Sequence, residues 1–291
     1  MRKIVSLLFI LLFLLSCGGE DLKKVAFVSG KYINETEIYL ADFDGLGEAQ
    51  LTSNEWADTF PCWSHDNNQI AFVSQRDGSQ ELYIMASDGT NPRRITFFNK
   101  RIDLGVSQLY VGPDCWSKDG QTIVFSFEDT IYKVDFNATN LLPYPHAGEA
   151  PGYSPDGKHI SFTSAVDSSY YVRVMGIEGT LEEQILSPTE NIPHCSSWSP
   201  DSKKLVCTHA SDLFMVDITA GDITMLDIQS ASKGAIVFGA DWGPEGQKIL
   251  YSLREEGLEG SLQYLVEVEN ETSSLFSPKL FTGLGTWSNK K

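Results

Sequence analysis

At 291 residues the chain is long enough for one large all-β domain or two ordinary ones, and 42% hydrophobic residues suffice to bury a core. Lys and Arg number 22 against 39 Asp and Glu, a net charge of −17. That balance excludes a nucleic-acid binder, because phosphate contacts need a basic face, and serves solubility instead.

The chain opens on a targeting segment. Arg2 and Lys3 make a positive start, and residues 4–15 form an apolar run too short for a good membrane span. The run ends in LLSC, with Cys17 followed by Gly-Gly-Glu. This stretch resembles the lipobox of bacterial lipoproteins. The resemblance implies a signal peptide over 1–16, lipidation of Cys17 and a lipidated tether over 17–23. Gly18, where an Asp would mark inner-membrane retention, implies an outer-membrane address on the periplasmic or surface side of the bacterial envelope. No later segment approaches transmembrane length, so the expected body is soluble and meets the membrane through its lipid alone.

From residue 24 onward the sequence repeats itself. The anchors are Trp63-Ser64, Trp116-Ser117, Tyr153-Ser154, Trp198-Ser199, Trp242-Gly243 and Trp287-Ser288, spaced by 53, 37, 45, 44 and 45 residues. Each copy carries the same signals. A short strand holds the aromatic, and a tight turn such as SPDG (154–157) follows. Pro there pre-sets one dihedral, Gly accepts the left-handed one, and Ser bonds the backbone. The alternating strand QIAFVS, a second hairpin to ELYIMA, the turn SDGT and the short strand RRIT complete the unit. Four period-two strands describe an antiparallel sheet with two apolar faces, which must stack on copies of itself. Radial closure solves that problem, so the expected fold is an all-β, six-bladed β-propeller of four-stranded antiparallel blades over 24–291. The first copy lacks its aromatic strand: KKVAFVS aligns with NQIAFVS. The C-terminal GTWS is expected to supply that missing innermost strand beside Val25–Phe27 and close the ring.

The repeat, seen best in GYSPDGKHISFTS and in residues 61–96, resembles that of TolB-type propellers and of the propeller domains attached to prolyl-oligopeptidase-like peptidases. The resemblance covers about residues 22–291 and implies a bacterial envelope propeller that binds another protein.

No catalytic motif accompanies it. A G-x-S-x-G elbow is missing, and the serines after each aromatic read as turn formers. Five histidines, His65, His146, His159, His194 and His209, fall in turns or connections. Only His146 and His194 are expected on the face where the channel opens, too few for a metal. No metal or cofactor is expected. Among the cysteines, a three-residue SPDS loop would pair Ser199 with Lys203 and set Cys195 opposite Cys207, a candidate disulfide. Cys62 and Cys115 fall in different sheets and read as separate buried thiols.

Connections from the outermost strand of one blade to the next aromatic strand share one rim, and two are long: 97–114 and 227–241. The candidate binding rim comprises Trp56, Asp58, Arg101, Asp103, Tyr110, His146, Glu149 and His194, flanked by Glu55 and Glu190. The reading is a non-enzymatic module that holds an envelope protein through these loops or the channel mouth. The alternative is a carbohydrate-binding or lyase/hydrolase-type propeller with a polar or metal site at that mouth.

Overall fold

A computed structural model describes residues 24–30, 35–43, 45–99, 109–167, 169–184, 194–228, 235–255, 260–281 and 285–288. Strands β1 (Lys24–Ser29), β2 (Glu37–Asp42) and β3 (Ala49–Gln50) open the chain. The second blade is β4 (Asp58–Trp63), β5 (Gln69–Ser74), β6 (Glu81–Ala86) and β7 (Arg93–Arg94). The third is β8 (Leu109–Tyr110), β9 (Thr122–Phe127), β10 (Thr130–Asp135) and β11 (Leu141–Ala147). The fourth is β12 (Glu149–Tyr153), β13 (His159–Val166), β14 (Ser169–Gly176) and β15 (Leu181–Gln184). The fifth is β16 (His194–Trp198), β17 (Lys204–His209), β18 (Asp212–Asp217) and β19 (Ile223–Leu226). The sixth is β20 (Ile236–Trp242), β21 (Lys248–Arg254), β22 (Ser261–Glu267) and β23 (Thr272–Phe281). β24 (Gly285–Trp287) then pairs antiparallel with β1, Val25 opposite Trp287 and Phe27 opposite Gly285. The result is six four-stranded antiparallel sheets, the first ordered β24-β1-β2-β3: a six-bladed β-propeller closed by its two ends, as the repeat predicts.

The closure copies the joint used inside the other blades. After four of the anchors a serine hydroxyl accepts the N–H five residues on: Gln69 to Ser64 (3.0 Å), Thr122 to Ser117 (2.9 Å), His159 to Ser154 (2.9 Å) and Lys204 to Ser199 (2.9 Å). The same hydroxyls donate to the turn carboxylates, and those bonds hold Asp119 and Asp201 below the usual carboxylate range. In the first blade Ser288 accepts from the Lys24 N–H at 2.9 Å and donates its own N–H to the Lys24 carbonyl at 2.7 Å. A turn made covalently elsewhere is made here by two chain ends.

The tryptophans bind blade to blade. Trp116, Trp198 and Trp287 donate their indole N–H to the carbonyls of Cys62, Gly152 and Asp241, each the residue just before the anchor of a preceding blade. The LT/IT ending of the repeat has an equally local cause. The Thr52 and Thr96 hydroxyls donate to Glu37 and Glu81 and accept from the N–H of Ile38 and Leu82. Each glutamate also takes a backbone N–H from the connection to the next blade, from Asn54 and from Asn99.

Two expectations about cysteines meet different outcomes. Cys195 and Cys207 are disulfide-bonded, Cα atoms 4.2 Å apart. The route there differs from the expected register. The loop is one residue longer, since Ser199 pairs with Lys204, and a bulge between His194 and Ser197 takes that residue back. Cys62 and Cys115, expected as separate thiols, are also disulfide-bonded, with Cα atoms 6.2 Å apart. Lying in different sheets does not separate them, because innermost strands of neighbouring blades converge on the axis.

Candidate functional site

Antiparallel blades fix where the loops go. Turns between first and second strands lie at one end of the ring, and the connections between blades lie at the other. Innermost strands line the channel, and their path is bent by a repeated bulge. Register shifts fall at Thr59/Cys62, Glu149/Gly152, His194/Ser197 and Phe238/Asp241. Phe60, Ala150 and Gly239, each three residues before its anchor, take positive φ of 52°, 50° and 58°. Such strain in a non-glycine costs energy and persists where surrounding structure imposes it, here at the channel wall.

At the turn end the channel widens to a cavity of about 420 Å³. Prolines 113, 155, 200 and 244 and the indoles of Trp198, Trp242 and Trp287 line it, with His65, Lys118, Asp66, Asp114 and Asp241 as its charged and titratable members. Asp114 comes from blade three and Asp241 from blade six, opposite positions in the ring, yet both reach toward blade five. Asp114 accepts the Trp198 N–H at 2.6 Å. Asp241 accepts the Ser197 hydroxyl at 2.8 Å, and its other oxygen takes the Thr286 hydroxyl at 3.0 Å and the Trp287 N–H at 2.8 Å. Burial, and then the charge of Asp241, push Asp114 well above the usual carboxylate range. Burial pushes Asp241 up to about 6 against its hydrogen bonds to Trp287, Ser197 and Thr286. Two acids cross the axis with one prone to keep its proton.

The sequence reading missed both. The signal was present: the residues before the other anchors are Cys62, Cys115, Gly152, Ser197 and Thr286, all uncharged, so Asp241 stands out. The sign of its pH effect is fixed. A carboxyl with a raised folded pKa gives its full stability below the unfolded pKa and loses it as pH rises toward about 6. Asp241→Asn removes that loss and relieves Asp114. The variant's melting temperature, taken relative to wild type, is therefore expected to climb between pH 4 and pH 7. A pH-independent difference would refute the assignment.

At the other end lie the connections on which the sequence places its candidate rim. Trp56 is 47% exposed on its connection, and Phe97 is 63% exposed on the next. Tyr110 lies at the channel, its ring 4.8 Å from Phe60 and 6.4 Å from the imidazole of His194. Surrounding protein desolvates the His194 imidazole and lowers its pKa, although the residue keeps an exposed surface. Glu149 lines a separate cleft beside Asp129, where burial raises its pKa. Two expected members are not presented. Asp58 is fully buried, paired with Arg76 at 2.8 Å and bonded to Asn54 at 2.8 Å. His146 lies within β11 between blades three and four, its ring against Phe162 and its Nε2 3.0 Å from the Gly179 carbonyl. His146 and His194 therefore do not converge. Among the described residues no group of three or more His, Cys, Asp or Glu is placed to hold a metal. Cys17, Arg101, Asp103 and Glu190 lie outside the described residues.

Comparison with known proteins agrees with this architecture. Dipeptidyl-peptidase 5 of Porphyromonas gingivalis is 24% identical over 267 residues, covering 79% of this chain and 35% of that protein. The chain thus spans about a third of the length of that curated relative. Among solved structures, TolB from Acinetobacter baumannii superposes with a TM-score of 0.74 at 20% identity, over 92% of this chain and 67% of that one. A chain of a nidogen/laminin complex gives 0.69 at 11% identity, over 91% and 98%. The profile of the TolB β-propeller domain matches residues 19–192, well over half the chain, and the protein belongs to that family.

Proposed function

We propose that the protein is a lipid-anchored bacterial envelope propeller that holds another protein at its connection face, without catalysis of its own. The observation that carries this reading is the pair of solvent-exposed aromatics, Trp56 and Phe97, on adjacent connections of one face of a closed ring. Tyr110 and His194 lie with their rings 6.4 Å apart at the channel. Large aromatics cost little conformational entropy to immobilise and form the energetic centres of protein interfaces. Support for a protein partner also comes from the nidogen/laminin propeller, which was solved in a two-protein complex. The lipidated Cys17 would tether the ring at the outer membrane, on the expectation drawn from its lipobox-like segment.

A photo-crosslinker placed at Trp56 in native membranes is expected to capture one defined protein. Trp56→Ala with Phe97→Ala should weaken that complex by about tenfold or more. A crosslinker at Ile223, on the outer edge of blade five, should not capture it. Equal yields from both positions would refute the reading.

One observation favours a second reading. The axial cavity with its two raised carboxyls has the polar character of a small-ligand site. A carbohydrate-binding or lyase/hydrolase-type role at that mouth predicts ligand binding that Asp241→Asn abolishes and that Trp56→Ala leaves unchanged.

A further inference from the structure

Between blades three and four, away from the axial cavity, lies a cleft of about 310 Å³. Asp129, Gly148, Glu149, Ser164 and Tyr170 line it, and none of them lines the axial cavity. Asp129 ends the two-residue turn joining β9 to β10, and Glu149 opens β12. Both therefore open onto the same cleft from neighbouring blades. Among the described residues no Lys, Arg or His forms an ion pair with either. Gly148 makes the approach possible. Its N–H donates to the Asp129 carbonyl at 2.7 Å, and a Cβ there would strike Phe162 at 2.6 Å and the Thr163 carbonyl at 2.7 Å.

A second observation is independent of the acids. Ile160 and Phe162 of β13 pack on Val124 and Ile131 of blade three. Period-two alternation puts Ser164 on the same face, toward the cleft. Ser164 is 7% exposed, and its hydroxyl has no hydrogen-bond partner. A buried hydroxyl left in that state is destabilising, a cost that a bound group would remove.

We propose that this cleft binds one divalent cation of the calcium class, held by the carboxylates of Asp129 and Glu149 and the hydroxyl of Ser164. The donor set is all oxygen, which suits a hard cation. One doubly charged ion balances both carboxylates, whereas a single ammonium would balance one. Calcium takes six to eight oxygens, and the cleft is wide enough for waters, each about 30 Å³, to complete the shell. The proposal does not rest on the partner proposed above, although the cleft lies at the same end of the ring.

The test uses the full chain, purified in detergent and stripped with a chelator. Tb³⁺ bound in the cleft is expected to emit on tyrosine excitation, sensitised by Tyr170, with one site per chain, and Ca²⁺ should displace it. Ca²⁺ should also raise the melting temperature. Glu149→Gln and Asp129→Asn should each weaken binding about tenfold or more. Ser164→Ala, which leaves the carboxylates in place, should weaken it as well and decides the matter if the acid variants fail to fold. Asp241→Asn should bind as wild type does. The proposal is overturned by no saturable Ca²⁺ binding up to ~10 mM, well above the range of known calcium modules. Unchanged affinity in Ser164→Ala together with folded Glu149→Gln overturns it too, as does loss of binding in Asp241→Asn. Binding of a lysine-bearing peptide but not Ca²⁺ would assign the cleft to a cationic side chain instead.

Discussion

Trp287→Ala is expected to cost about 3–5 kcal/mol, the range for truncating a large buried aromatic. The indole is 4% exposed and sits among Val25, Leu250 and Phe276, with the edge of Phe43 at 4.4 Å. Its N–H donates to the Asp241 carbonyl at 3.2 Å, and its backbone N–H to the Asp241 side chain at 2.8 Å. The substitution therefore removes apolar burial and leaves a buried acceptor in blade six short of a donor. Location enlarges the effect. β24 has only three residues in register with β1, so the contacts of Trp287 form a large share of what holds it. Once it detaches, blades one and six each lose a neighbour, and stacked repeats are stabilised mainly by such interfaces. Urea unfolding followed by tryptophan fluorescence should show the midpoint fall sharply, with a broader transition. Trp56→Ala, on an exposed residue, should lie within about 0.5 kcal/mol of wild type. Equal midpoints for Trp287→Ala and wild type would mean that the terminal strand does not close the ring.

The features of the fold legible in the sequence are those set by short-range chemistry and repeated in every copy. Trp63-Ser64 and Tyr153-Ser154 mark the inner hairpins because a serine hydroxyl and a tight turn act over five residues. Alternation in QIAFVS and ELYIMA shows two buried faces without reference to any other blade. Ring closure was legible because KKVAFVS lacks an aromatic strand that GTWS supplies. What could not be read is what the ring brings together from distant residues. The bulge before four of the anchors is written in no common residue: Phe60, Ala150 and Gly239 occupy equivalent places. It sets the register of Cys195 with Cys207. Asp114 and Asp241 are 127 positions apart and meet only because the ring folds both onto its axis. The sequence places His146 in a connection at the channel face, whereas it lies inside β11, the outermost strand of its blade, where the pairing with β10 is irregular between Thr130 and Tyr132.

The same convergence gives the second large effect. Replacing both Cys62 and Cys115 by serine is expected to lower stability by about 4 kcal/mol, because their bond closes a loop with a sequence separation of 53 and so restricts the unfolded chain. The Cys195–Cys207 bond, with a separation of 12, should contribute about 3 kcal/mol on the same reckoning. Sequence separation alone therefore orders the two, although both are fully buried in the folded ring. The longer-range bond has a further consequence. It fixes the innermost segments of blades two and three to each other beside Pro113 and Asp114, and the Cys115 N–H donates to the Cys62 sulfur at 3.1 Å. Its loss should loosen the axial cavity and let Asp114 gain water, moving its raised pKa back toward the ordinary value. In the Cys62→Ser/Cys115→Ser protein the pH dependence of stability between pH 4 and pH 7 should then flatten, which the Cys195→Ser/Cys207→Ser protein should not show. Non-reducing peptide mapping comes first. Recovery of Cys62 as a free thiol from unreduced protein would remove the bond, the ordering and the pH effect together.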